Sequence, residues 1–245
     1  MNLVIDIGNT HTKLAWFEQG ELVYMLRHKA SELVRIESIV KKRSADKAIV
    51  SSVSLLNNHI INELEKENKK LIILDHHTPL PIRISYKTPQ TLGHDRIAAA
   101  AGARYIYPNR NVLIVDMGTA ITIDFITAEG EYLGGNISPG LHTRFRALNE
   151  YTAKLPLVSK DDTFPKFGTD TRTAIVAGVQ QGIIFEIDSY MDEFARLYKN
   201  CEFIITGGDA NYFVSKLKRP IFALPELVLT GLNFILEFNA SERIQ

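Results

Sequence analysis

An α/β fold made of two like halves is what this sequence predicts, on three observations. Short apolar strand runs alternate with helix-spaced segments along most of the chain. A strand ending in an Asp-x-Gly turn occurs twice, at Asp6-Ile7-Gly8 and at Asp116-Met117-Gly118, an offset of 110 residues. Each copy opens a unit of three strands, and Thr12 maps onto Thr122 by the same offset of 110. One Asp-x-Gly is trivial, but two in the same setting point to a duplicated half-domain. The expected boundary is near Pro108-Asn109, giving domains of residues 1–108 and 109–245.

Size and composition narrow the field. A chain of 245 residues, 45% hydrophobic and 23% charged, can bury a core as one large domain or two moderate ones. Lys plus Arg and Asp plus Glu both number 28, so no net charge draws the chain to nucleic acid or a membrane surface, and neither partner is expected. The single cysteine, Cys201, excludes an intramolecular disulfide and a thiol metal cluster, and reads as core. Met1 leads straight into a strand, with no secretory pattern before it, and no apolar run is long enough to span a bilayer. A cytoplasmic location is the expectation.

Element by element, three strands are predicted at Leu3–Asp6, Thr10–Phe17 and Glu21–His28, with a turn at Glu18-Gln19-Gly20. Helical spacing follows at 32–42 and 55–68, each before a short strand, Ala48–Ser51 and Leu71–Leu74. Pro79, Pro81 and Pro89 make 75–93 a long loop or edge segment, of a length often kept for function. An alanine-rich helix, His94–Tyr107, stops before Pro108. The second half gives strands at Val112–Val115, Ile121–Ile126 and Tyr132–Ile137, a glycine turn at Gly134–Gly140, and a helix at 141–149. After an irregular loop at 156–168, one long helix runs from Thr171 to about Lys199 on a broad apolar stripe. Gly178 and Gly182 on that helix would admit another helix or a partner subunit at close range. A strand at Glu202–Thr206, a Gly207-Gly208-Asp209 turn into a helix, a strand at Pro220–Ala223 and a closing helix at Pro225–Phe238 finish the chain.

The turn Asp6-Ile7-Gly8-Asn9-Thr10, followed by His11, Thr12 and Lys13, suits close approach to an anion. Gly8 has no Cβ and can take positive φ, backbone N–H groups with Asn9, Thr10 and Thr12 can donate to phosphate oxygens, and Asp6 can hold a hydrated Mg²⁺. An ordinary hairpin explains the same residues, because Gly-Asn is a common two-residue turn. At Gly93-His94-Asp95-Arg96, Asp95 falls in a helix's first turn, where a carboxylate is stabilised anyway. The alternative pairs a proton acceptor with a guanidinium that meets phosphoryl charge. Asp116-x-Gly118-Thr119-Ala120 repeats the opening argument for the other end of a polyphosphate. Gly207-Gly208-Asp209 is flat enough to pack against a base, or is simply a turn before a helix. His76 and His77, adjacent on an extended segment, should point opposite ways and so read as a solvated loop rather than metal ligands. P-loop, dinucleotide, zinc-protease and nucleophile-elbow patterns are absent from the sequence.

Together, Asp6-x-Gly8-Asn9-Thr10, Gly93-x-Asp95-Arg96, Asp116-x-Gly118-Thr119-Ala120-x-Thr122, Gly134-Gly135-x-Ile137-x-Pro139-Gly140 and Thr152-Ala153-x-Leu155-Pro156 resemble type III pantothenate kinase. That family belongs to the acetate-kinase, sugar-kinase, Hsp70 and actin superfamily, and the motifs occur in its order along essentially the whole chain. The resemblance implies two tandem ribonuclease-H-like (actin-like ATPase) domains with ATP and substrate in an interdomain cleft. It implies that the loop Asp6, Ile7, Gly8, Asn9, Thr10, His11, Thr12 and Lys13, with Thr119, binds ATP. Asp95 becomes the proton acceptor for the pantothenate hydroxyl, and Tyr86, Gly93, His94, Asp95 and Arg96 line the pantothenate pocket. Asp116 holds a monovalent cation, K⁺ or NH₄⁺, and Asp6 a water-bound Mg²⁺ that accompanies ATP. Thr171 reaches pantothenate from the neighbouring subunit of a homodimer, although Thr173 lies close by and Asp170 stands where the family usually has asparagine. The implied activity is ATP-dependent phosphorylation of pantothenate to 4′-phosphopantothenate. A non-catalytic ATP-binding accessory factor for transcription is the rival reading, and the intact Asp6, Asp95 and Asp116 argue against it.

Overall fold

The structure is a computed structural model, and it describes residues 1–29, 39–40, 42–43, 45–52, 58–67 and 70–241. The helix expected at 32–42 lies mostly outside the described residues. By its contacts the chain divides into two compact units: Met1–Pro108 with Gly130–Tyr132 and Glu226–Gln245, and Asn109–Glu129 with Leu133–Pro225. This division shares the break at Pro108 with the expected one, but it places the C-terminal helix in the first unit.

The first unit carries a five-stranded sheet of order β3-β2-β1-β4-β5, with β1 Asn2–Ile7, β2 His11–Glu18, β3 Glu21–Lys29, β4 Lys47–Ser52 and β5 Lys70–Ile73. β1 pairs antiparallel with β2 and parallel with β4. Leu3, Ile5 and Ile7 alternate onto one face, where Trp16, Val50 and Leu64 of α1 (Asn58–Glu67) join them in a core. The other face of β1 is covered by α6 (Leu227–Ser241), and that helix also packs on α2 (His94–Ile106). Small residues permit the crossing of α2 and α6. A Cβ on Gly231 would stand 1.7 Å from the Ala98 carbonyl oxygen, and one on Gly102 would stand 2.4 Å from that of Leu227. This packing is why the closing helix, remote in sequence, belongs with residues 1–108.

The second unit repeats the plan. β7 Asn111–Met117 lies between β8 Ala120–Ile126, antiparallel, and β10 Cys201–Thr206, parallel, and β11 Phe222–Ala223 lies parallel beyond β10. β9 (Glu131–Pro139) follows β8, so the order β9-β8-β7-β10-β11 matches β3-β2-β1-β4-β5 position for position. The residues expected as a turn at Gly134 onward remain in strand as far as Pro139. The core sits between this sheet and the helices α3 (Leu141–Glu150) and α4 (Thr171–Leu197), with Phe145, Ile183, Ile187 and Met191 facing Val115, Ile123 and Phe125. α5 (Ala210–Phe213) is a single short turn after Gly207-Gly208-Asp209.

Within the proline-rich loop, β6 (Arg83–Ile84) pairs in parallel with Glu131 and Tyr132, the start of β9 that groups with the first unit. His76 and His77 do not point apart as expected. Asp75 Oδ1 accepts from the His77 and Thr78 N–H groups, each at 2.9 Å, and the resulting turn brings the two imidazoles together, centroids 3.9 Å apart and planes tilted by 41°. A turn, not an extended strand, sets their directions.

Candidate functional site

Asp6 and Asp116 occupy equivalent places at the ends of the central strands. Asp6 lies between Lys13 on β2 and Ser51 on β4, and Asp116 lies between Thr122 on β8 and Thr206 on β10. The second turn is one residue shorter: the Gly8 N–H donates to the His11 carbonyl at 3.0 Å, the Gly118 N–H to that of Ala120 at 3.0 Å. Thr122 therefore corresponds in space to Lys13, and the expected match of Thr12 with Thr122 shifts by one. The consequence is electrostatic. Asp6 faces an ammonium across the ladder, whereas Asp116 faces a neutral hydroxyl.

At the first turn, Asn9 and Thr10 are exposed, while the Ile7 side chain is buried in the core. Thr12 is 1% exposed with its Oγ1 lacking a hydrogen-bond partner, so this side chain is not among the outward donors. Gly8 does not use the positive φ open to it. It is tight for another reason, since a Cβ would lie 3.2 Å from the His11 carbonyl oxygen. His11 Nδ1 accepts from Arg27 at 3.1 Å, which leaves its own proton on Nε2. Burial, with the Arg27, Lys13 and Lys29 charges, pushes the imidazole below its ordinary value. Lys13 is partly buried, 4.0 Å from Glu226.

Burial raises the Asp6 carboxyl to about 6; Lys13 opposes the shift and the charge of Asp95 adds to it. The repulsion shows that Asp6 and Asp95, far apart in sequence, share one electrostatic environment. Asp95 stands in the first turn of α2, and its Oδ1 accepts the Arg96 N–H at 2.8 Å. Capping and catalysis therefore do not exclude each other here. Gly93 precedes it without a side-chain cap, and a Cβ on Gly93 would come 2.5 Å from Asp95 Oδ1. His94, the first residue of the helix, is partly buried beside them. Arg96 is only 5% exposed, its guanidinium 5.8 Å from the Tyr86 ring and 6.0 Å from the Tyr132 ring. Cation–π contact of this kind holds a planar cation in place. Sequence reasoning named Tyr86 and missed Tyr132, which reads as an ordinary strand residue until β6 pairs with β9.

In the second unit, Gly207 takes φ +92°, and a Cβ there would come 2.5 Å from Asp116 Oδ1. The Gly207-Gly208-Asp209 turn thus packs directly on the Asp116 carboxylate, and the Asp209 N–H donates to the Met117 carbonyl at 3.1 Å. Thr119 is exposed beside it. Thr171 and Thr173 separate cleanly. Thr173 forms a capping box with Asp170, its N–H and Oγ1 each 2.9 Å from that carboxylate, while Thr171 is exposed at the head of α4. The same bonds from Thr173 hold the Asp170 carboxyl below its ordinary value.

Among the described residues no group of three or more His, Cys, Asp or Glu side chains could hold a metal ion. A divalent ion that takes one carboxylate, with water and phosphate oxygens completing the shell, fits Asp6. Burial, with a smaller contribution from the Asp95 charge, disfavours the ionised carboxylate, and a bound cation would favour it. Among the described residues no helix is long and apolar enough to cross a membrane.

Two solved structures share the fold over nearly all of both chains. One is a Campylobacter jejuni protein assigned to the Baf family of transcriptional activators, with TM-score 0.64 and 23% identity, covering 97% of this chain and 98% of that one. The other is a glucokinase from an Antarctic psychrotroph, with TM-score 0.52 and 12% identity, covering 97% and 98%. Fold and duplicated turns make this an α/β protein with two ribonuclease-H-like units. Residues 2–193 match the sequence profile of type III pantothenate kinase, and the type III pantothenate kinase of Phocaeicola vulgatus is 46% identical over 239 residues, 98% of this chain and 99% of that protein. The chain belongs to the type III pantothenate kinase family, whose members are kinases, with ATP and a divalent metal ion as the implied co-reactants.

Proposed function

We propose that this chain transfers the γ-phosphoryl group of ATP to the hydroxyl of pantothenate, giving 4′-phosphopantothenate at the entry to coenzyme A synthesis. The observation that carries the reading is the match of residues 2–193 to the type III pantothenate kinase profile, with a relative of that name 46% identical over 239 residues. Phosphoryl transfer asks a protein chiefly for positioning and charge stabilisation. Asp95 orients the attacking hydroxyl and takes its proton. The exposed donors of Asn9 and Thr10 and the partly buried Lys13, with Thr119, hold the phosphates. Arg96, fixed between Tyr86 and Tyr132, binds the substrate's own negative end, and Gly93 and His94 frame the pocket. Mg²⁺ held through water at Asp6 would offset charge on the phosphates.

The contrast between the two turns supports a further assignment. Lys13 lies in register with Asp6 and Thr122 with Asp116, whose carboxylate also meets the Gly207 turn, and Asp116 is assigned K⁺ or NH₄⁺. Thr171, rather than the capping Thr173, is the hydroxyl that reaches a ligand across a homodimer. An apolar groove of about 570 Å³ between α3 and α4, with Ala147, Leu148, Ile175 and Val179 in its walls, supports contact with a second copy. A monomer mass by light scattering would remove the dimer. The cytoplasm, where ATP is available, completes the reading.

Steady-state ADP release tests the activity, comparing pantothenate with sugars and acetate. Release that depends on pantothenate is expected. Asp95→Asn should lose about two to four powers of ten in turnover while remaining folded. Nucleotide binding without pantothenate-dependent ADP release would instead favour a regulatory protein, a reading that no feature of the site favours.

A further inference from the structure

The second phosphate turn is braced from outside. The Thr119 carbonyl oxygen accepts two hydrogen bonds, from the Gly140 N–H at 3.0 Å and from Thr143 Oγ1 at 2.7 Å, which uses both of its lone pairs. Gly140 sits so close that a Cβ there would be 2.2 Å from the Gly118 oxygen and 2.7 Å from that of Thr119. The brace is itself anchored. Arg144 donates through Nε to the Pro139 carbonyl at 2.7 Å and through Nη2 to Ser138 Oγ at 3.2 Å, and pairs with Glu186 on α4. The first turn of α3 is thereby tied to the longest helix of its unit.

We propose that Thr143 is a positioning residue for the ATP-binding turn, holding the Thr119 carbonyl so that the turn keeps one conformation when nucleotide arrives. The proposal rests on the reading that Thr119 contacts ATP. In a trans peptide the N–H points opposite to the C=O, so a carbonyl drawn toward α3 directs the following Ala120 N–H away from it. The orientation of the Thr119 side chain is fixed along with the peptide plane. A three-residue turn without such a tie pays ordering entropy when it binds phosphate, and a preorganised one does not. Thr143 needs no contact with ATP to act in this way.

The test is steady-state kinetics on Thr143→Val, Thr143→Ser and Thr119→Ala in the full-length protein, with thermal unfolding alongside. Thr143→Val keeps the shape and loses the donor. It should raise KM for ATP about three- to ten-fold, the size expected for one hydrogen bond. KM for pantothenate should stay within about twofold, the melting temperature within about 2 °C, and Thr143→Ser should restore wild-type KM for ATP. An unchanged KM for ATP in Thr143→Val, or an equal rise for both substrates, overturns the positioning role. Thr119→Ala separates the two claims. If it leaves KM for ATP unchanged, the reading of Thr119 as an ATP contact falls. If it raises KM while Thr143→Val does not, the positioning role alone falls.

Discussion

Gly93 shows how much a single hydrogen atom can decide. Its backbone, at φ −58° and ψ 133°, is open to any L-residue, so Gly93→Ala brings no backbone strain. The added methyl instead meets Asp95 Oδ1 at 2.5 Å and must turn that carboxylate aside. Turnover should fall about tenfold or more, since misplaced catalytic groups are costly, with a melting temperature within about 2 °C of wild type. Unchanged kcat in this variant would mean that the Asp95 position is not critical. Asp6 makes a second prediction at the same scale. Its carboxyl stands at about 6 in the folded chain against 3.8 ordinarily, so between those values the folded state keeps a proton that the unfolded state has lost. Stability should therefore fall as pH rises through that window and stay at the lower level above it. In metal-free buffer, Asp6→Asn should remove the slope and raise the melting temperature at pH 7.5 by about 2–6 °C. An identical pH slope in the variant would contradict the raised value. Of these residue-level features, the identities of Asp6, Asp95 and Arg96 were legible in the sequence, because turn chemistry is local. The Tyr132 partner of Arg96 and the buried side chain of Thr12 were not, because each depends on which strand lies alongside.

Among the elements, the strands read most clearly. The apolar runs of the central strands β1, β4, β7 and β10 are buried on both faces, and the observed ends fall within one or two residues of those expected for most strands. Helix α6 was equally clear as a helix, yet its place was not. Its union with α2 depends on glycines meeting backbone, and nothing in local periodicity reports a close approach between segments so remote in sequence. Gly231→Ala tests that crossing. A methyl 1.7 Å from the Ala98 oxygen and 2.7 Å from the Gly102 nitrogen finds backbone on both sides, which cannot give way as a flexible side chain can. A loss of about 3 kcal/mol or more in urea unfolding is expected. A variant as stable as wild type would show that the two helices do not pack this closely in solution.

For the whole molecule, duplication is the organising fact, and its two copies have diverged where the chemistry differs. One residue fewer in the second turn puts Thr122 in register with the carboxylate where the first turn has Lys13, and the proposed role of Asp116 is to hold a monovalent cation. Pantothenate-dependent ADP release should accordingly rise on adding K⁺ or NH₄⁺ to a sodium background. Asp116→Asn should abolish that stimulation, and equal rates in all three salts would remove the cation from Asp116. By itself the sequence determined the duplicated α/β plan, the two Asp-x-Gly turns and the family, because these rest on local periodicity and motif order. Only the tertiary structure decided the partner of each aspartate, the place of Tyr132 beside Arg96 and the return of the last helix to the first unit. Register and long-range packing set those outcomes, and a one-residue change in a turn is enough to alter them.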